Sequence, residues 1–178
     1  MTQPSSQTRA CIAALAAACG VACSPVLDWR EFVPEGTDIG VSFPCRPDRN
    51  ARAVVVAGAK AQMEMLACNA DGATFALSFV DVADPARVGA TLADLRATAI
   101  GNVRSAEPQR MPLQVKGMTP NEQAGRISIA GRLPDGAAVQ AQAAFFARGL
   151  RVYQATVIGA KPAPEVVETF LGALKFAA

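Results

Sequence analysis

The chain has 178 residues, with 17 Lys and Arg against 15 Asp and Glu, five cysteines and no histidine. That length suits one domain with a proper core, and the near balance of charge argues against nucleic acid, which selects a strongly basic face. The lack of histidine excludes His-ligated zinc, Ser-His-Asp triads and Cys-His dyads together.

Residues 1–8 carry no charged side chain, and Arg9 supplies a basic start. Ala10 to Ala22 follows as 13 uncharged residues, ended by Ser24, Pro25 and Asp28. A membrane-spanning helix needs about 20 apolar residues, so this run reads as the apolar core of a cleaved export signal. Bacterial lipoprotein signals end in a branched apolar residue, two small residues and a cysteine. Cys23 follows Gly20-Val21-Ala22, and Cys19 follows Ala16-Ala17-Ala18. Neither fits fully. Cys23 is preferred as the lipid attachment site because Ser-Pro and a polar stretch follow it at once. Cys11 reads as a small apolar filler. The expected organisation is a signal over 1–22, a tether over 23–38 and one domain over 39–178. No Asp follows Cys23 as an inner-membrane retention signal, so the expected location is the outer membrane, with the domain facing the periplasm.

Asp28 to Asp38 reads as a polar connector in which Trp29 packs the start of the chain onto the domain. Ile39, Val41 and Phe43 alternate with Gly40 and Ser42, the pattern of a half-buried strand. Val54–Ala57 predicts a second strand turning at Gly58. Ala61–Cys68 predicts a third, with Met63, Met65 and Ala67 on one face and Gln62 and Glu64 on the other. Asn69-Ala-Asp-Gly72 is a turn, and Thr74–Val82 a fourth strand. Asp84-Pro85 then signals a helix start. Val88, Leu92, Leu95, Ala99 and Val103 form one stripe on a helix of about 20 residues, closed by Pro108. Arg87, Asp94, Arg96 and Arg104 fall on its outer side.

Four further strands are predicted: over Met111, Leu113 and Val115; over Ile127 and Ile129; over Val139 to Phe145, after the Pro134-Asp135-Gly136 turn; and over Leu150–Ile158. A last helix begins near Pro164-Glu165, with Phe170, Leu171 and Leu174 inward and Phe176 packing after it. The order predicts an α+β fold: an antiparallel sheet of hairpin-linked strands carrying one long central helix and one C-terminal helix.

GVSFPCRP (40–47), FALSFVDV (75–82), the helix from Asp84, GRISI (125–129), RVYQATVIGA (151–160) and VVETFLGALKF (166–176) together resemble small bacterial envelope proteins of the PsbP-like fold. The resemblance covers Ile39 to Phe176, and the CSP-x-x-DWR junction at Cys23 to Arg30 is similar to that of some lipoproteins. Cys45 stands where relatives carry Gly. These are core and turn patterns, so they imply fold first. They imply function only by analogy with non-enzymatic binding and assembly factors.

Candidate chemistry is sparse. Asp81 and Asp84 read as a strand end and an N-cap rather than a paired acid–base or cation site. Arg46, Arg49 and Arg52 share what reads as one loop and are the candidate contact for an anion or partner. Ser42 and Ser128 lack a base, and Met63 with Met65 reads as core filling rather than a soft-metal site. No cofactor and no catalysis are expected. Cys45 and Cys68 are disulfide candidates in an oxidising compartment, but strand parity places them on opposite faces, so two separate thiols are preferred. The expectation is a monomeric, membrane-tethered, non-catalytic domain that binds a protein partner. The alternative is a small-ligand or lipid carrier, favoured by an apolar pocket of roughly 300 Å³ or more.

Overall fold

A computed structural model describes residues 27–104 and 107–177. The proposed signal and Cys23 lie outside the described residues. The architecture is α+β, as expected. Seven antiparallel strands form the main sheet, in the order β3 (Asp48–Val56), β4 (Ala59–Ala70), β5 (Ala73–Asp81), β9 (Arg151–Gly159), β8 (Ala138–Arg148), β7 (Gly125–Arg132) and β6 (Gln109–Met111), and a smaller sheet has the order β1 (Arg30–Phe32), β2 (Ile39–Phe43) and β10 (Lys175–Phe176).

Alternation along the strands sorts the main sheet into two faces, and both are covered. Phe79 opposes Tyr153 while its neighbour Val80 opposes Val152, so consecutive residues serve different cores. One core joins Leu66, Phe75, Leu77, Tyr153 and Val157 to Phe170, Leu171 and Leu174, and to Ile39, Val41 and Phe43 of the small sheet. The other joins Met63, Val80, Ile127, Phe145 and Val152 to Val88, Leu92 and Leu95. The two helices therefore lie on opposite faces. α1 (Val88–Asn102) covers one, and α2 (Pro164–Gly172) shares the other with the small sheet. Neither helix is central.

Strand β1 (Arg30–Phe32) falls in the stretch read as connector and pairs with β2 (Ile39–Phe43). β2 does not join the main sheet. It pairs with β1 and with β10 (Lys175–Phe176), and the Pro44 to Pro47 turn carries the chain to the main sheet. Trp29 packs edge-on against Phe75, with centroids 6.1 Å apart, so it anchors the chain start as predicted.

β3 (Asp48–Val56) and β4 (Ala59–Ala70) are joined by Ala57-Gly58, and β4 and β5 (Ala73–Asp81) by Asp71-Gly72. Both two-residue turns have positive φ at both positions, the geometry that matches strand twist. Asp84 does cap, accepting from Ala86 N at 2.9 Å. It opens one tight turn over Pro85–Arg87, and α1 itself runs 15 residues rather than about 20. The far end of α1 rests on Gly131, where an added Cβ would lie 2.0 Å from the Val103 carbonyl oxygen.

The strand predicted over Met111–Val115 is cut short. β6 spans Gln109–Met111 only, because Pro112 has no N–H for the ladder. Burial still alternates through to Val115. β7 (Gly125–Arg132), β8 (Ala138–Arg148) and β9 (Arg151–Gly159) follow the expected alternation.

Cys45 and Cys68 form a disulfide, with Cα atoms 6.0 Å apart. This corrects the preference for separate thiols. Alternation alone puts Cys68 in an outward set with Gln62 and Glu64. Their face lies beneath the small sheet and α2, so Cys68 is buried beside Phe75 on the side where Cys45 arrives.

Candidate binding surfaces

The arginine cluster expected in one loop does not form. Asp48–Val56 is a strand, and residues three apart on a strand face opposite ways. Arg46 lies exposed in the turn after β2. Arg49 is spent on the small-sheet side, where its Nε donates to Glu64 at 2.8 Å and Glu35 lies 3.5 Å away. Arg52 alone faces a groove, on the α1 side. The strand expected over Val54–Ala57 starts six residues earlier than its pattern shows, because both faces of this edge are polar or small over Asp48-Arg-Asn-Ala-Arg-Ala53.

That groove runs between α1 and β3–β4 and encloses about 270 Å³. Met63 and Met65 wall it, as their predicted shared face requires, together with Leu95 and Ala99 from α1. Its floor is polar: Ser78, and Gln154 donating to the Thr156 hydroxyl at 3.1 Å. Asp94 lines its end and accepts the Ala57 N–H at 2.8 Å, while Arg87 donates to the Ala57 carbonyl at 2.6 Å. Two side chains assigned to an outer, solvated side of α1 therefore grip the β3–β4 turn.

Asp81 is not paired with Asp84. It accepts two hydrogen bonds from Arg151, at 2.6 and 2.7 Å, and these hold its carboxyl below the usual range. Ser42 and Ser128 are half-buried on β2 and β7. Among the described residues no group of three or more His, Cys, Asp or Glu side chains is placed to hold a metal ion.

The sequence reading overlooked Arg126, the one charged residue buried among those described. It leaves β7 on the α2 side, where its guanidinium bonds Glu168 of α2 at 3.0 Å and Gln142 of β8 at 3.1 Å. The hydrogen bonds from Arg126 hold the Glu168 carboxyl below its ordinary value. A signal existed: a strand alternating Ile127 and Ile129 inward puts Arg126 outward, and "outward" is a second core when helices cover both faces. Two open clefts flank the Met111–Leu113 segment beside it. One, of about 370 Å³, lies against α2 and includes Arg126, Glu168 and Leu171. The other, of about 390 Å³, lies at the sheet edge between α1 and β6.

Compared with models of known protein families and with curated proteins, the chain matches none.

Proposed function

We propose that this chain is a lipid-tethered domain of the bacterial envelope with a PsbP-like fold, non-catalytic, which binds a protein partner. In this reading residues 1–22 are removed, Cys23 carries the lipid, and the domain faces the periplasm from the outer membrane. The Cys45–Cys68 disulfide supports an exported life, because such bonds persist in oxidising compartments.

The observation that carries the binding reading is strand β3. Among the described residues it ends the main sheet and pairs only with β4. In a two-residue hairpin the pair flanking the turn, here Val56 and Ala59, is hydrogen-bonded. The backbone groups of Arg49, Ala51, Ala53 and Val55 therefore point away from β4, ready for an added strand. Val55 is 68% exposed on this edge, and the α1 groove with Arg52 opens beside it.

Two experiments test this. Intact-mass analysis of membrane-extracted protein is expected to find a chain starting at lipid-modified Cys23; a start at Ser24 or Met1, or a bare Cys23, removes the tether. A photo-crosslinking residue at Ala51 or Ala53 is expected to capture one discrete protein in cells, and the same residue at Asp135 to capture none. Equal capture at all three positions, or none, removes the partner reading.

The small-ligand alternative draws on a different observation. The sheet-edge cleft exceeds the volume set for it but is not apolar, since arginines line it. A lipid buried whole does not fit such walls; a charged ligand does.

A further inference from the structure

We infer that the cleft at the β6 edge of the main sheet is a binding site for an organic anion with a short apolar body. This rests on the small-ligand alternative and on neither the tether nor the β3 edge.

The cleft of about 390 Å³ is lined by Arg96, Arg110 and Arg126, and among the described residues no carboxylate lines it. The Arg126 charge is met by Glu168 on the α2 side. The other two are unmet. Arg96 extends from α1 and donates only to neutral oxygens, the Gln123 carbonyl at 3.1 Å and the Gln123 side chain at 2.7 Å. Those bonds aim the guanidinium without cancelling its charge. Arg110 opposes Ile127 in the ladder, so it stands on the α1 face as Arg96 does, and it is exposed. Among the described residues neither Arg96 nor Arg110 forms an ion pair. Of the nearest acids along the chain, Asp94 is turned to the Ala57 N–H, Glu107 and Glu122 are exposed, and none of the three pairs with either arginine among the described residues.

Asn121 adds a polar side chain beside the two arginines, its oxygen already used to accept the Gln123 N–H at 2.8 Å. That leaves its amide donors for a ligand. Ile100, Met111, Leu113 and Met118 make the remaining wall apolar. Donors from Arg96, Arg110 and Asn121 in one cleft of this volume, with apolar side chains on the rest of its wall, suit a carboxylate or phosphate head on a hydrocarbon body. Methionines on that wall allow several body shapes. The same head chemistry belongs to a free amphipathic acid and to an anionic phospholipid at the membrane surface.

The test uses the full chain with Cys23→Ser, so that no lipid is attached. Equilibrium dialysis measures binding of decanoate and of decanol, and flotation measures recovery on phosphatidylcholine vesicles with and without phosphatidylglycerol. Each is repeated with Arg110→Glu and with Arg52→Glu, which changes the other groove. Decanoate is expected to bind at least tenfold more tightly than decanol, with Arg110→Glu weakening it at least tenfold and Arg52→Glu leaving it unchanged. That result assigns a free amphipathic acid. Flotation that needs phosphatidylglycerol and is lost in Arg110→Glu, without decanoate binding, assigns the lipid headgroup. Equal binding of decanol, indifference to Arg110→Glu in both assays, or equal loss in Arg52→Glu overturns the site.

Discussion

Cys45 and Cys68 are bonded across the α2 side of the sheet, with Cα atoms 6.0 Å apart, and so tie the turn after β2 to the far half of β4. The small sheet that β2 belongs to contacts the main sheet through side chains rather than a shared ladder. The bond is a covalent cross-link between them, added to the backbone that runs on from β2 to β3.

Both thiols are therefore expected to resist alkylation in unreduced, unfolded protein and to label fully after reduction. Closing a loop over a sequence separation of 23 residues is worth about 3 kcal/mol in the chain-entropy model. The Cys45→Ser, Cys68→Ser double variant is expected to lose stability of that order in urea unfolding. Labelling of either thiol without reductant contradicts the bond.

The strands were legible in the sequence where one neighbour was buried and the next was not. Val139 to Phe145 and Ile39 to Phe43 read correctly for that reason. Legibility failed where both faces were alike. Asp48 to Ala53 is polar or small throughout because it is an edge, and it passed for a loop. Cys68 and Arg126 looked outward because period-two alternation identifies two faces but not whether the second is also covered. The β10 pairing of Phe176 is with Ile39, 137 residues earlier, a non-local contact that no local pattern encodes. The sheet-edge cleft was illegible for the same reason, since Arg96, Arg110 and Asn121 meet only once the sheet is built.

Ala57 has φ +48° in the β3–β4 turn, a region that non-glycine residues reach at a cost of about 1 kcal/mol or more. Asp94 and Arg87 hold it from α1. Ala57→Gly is expected to raise the unfolding free energy measured in urea by up to about 1 kcal/mol, since Gly adopts this conformation freely. Asp94→Ala leaves a half-buried N–H without its acceptor and is expected to cost about 1–2 kcal/mol. If Ala57→Gly lowers stability, the turn is not strained as described.

Hydrogen bonds from Arg126 and Arg151 lower the Glu168 and Asp81 pKa values in the folded state. A depressed carboxyl contributes stability that is complete above its unfolded value, about 4, and is lost as pH falls through the lower folded value. Unfolding midpoints are thus expected to drop below about pH 4. Glu168→Gln is expected to flatten that slope and to cost about 1 kcal/mol at neutral pH, because Arg126 keeps Gln142 and Glu168 is largely exposed. An unchanged acid slope in the Glu168→Gln, Asp81→Asn double variant contradicts both pairs.

Tyr153 is the chain's one tyrosine, so its ionisation can be followed alone by ultraviolet absorbance. It sits in an aromatic cluster, stacked on Phe146 at 5.3 Å with ring planes 7° apart, and edge-on to Phe176 at 5.3 Å. Burial pushes its hydroxyl up to about 12, against about 10 for an unfolded tyrosine. A phenol whose folded pKa is raised contributes stability that is complete below the unfolded value and is lost as pH rises through the folded one. Absorbance is therefore expected to stay flat through pH 10 and to rise toward about 12. If unfolding comes first, the rise is expected to coincide with loss of near-ultraviolet circular dichroism. Tyr153→Phe keeps the stack and removes the titration, so its alkaline unfolding is expected to shift to higher pH. A simple titration at about 10 with the fold intact would place the Tyr153 hydroxyl in water and would contradict the packing of this core.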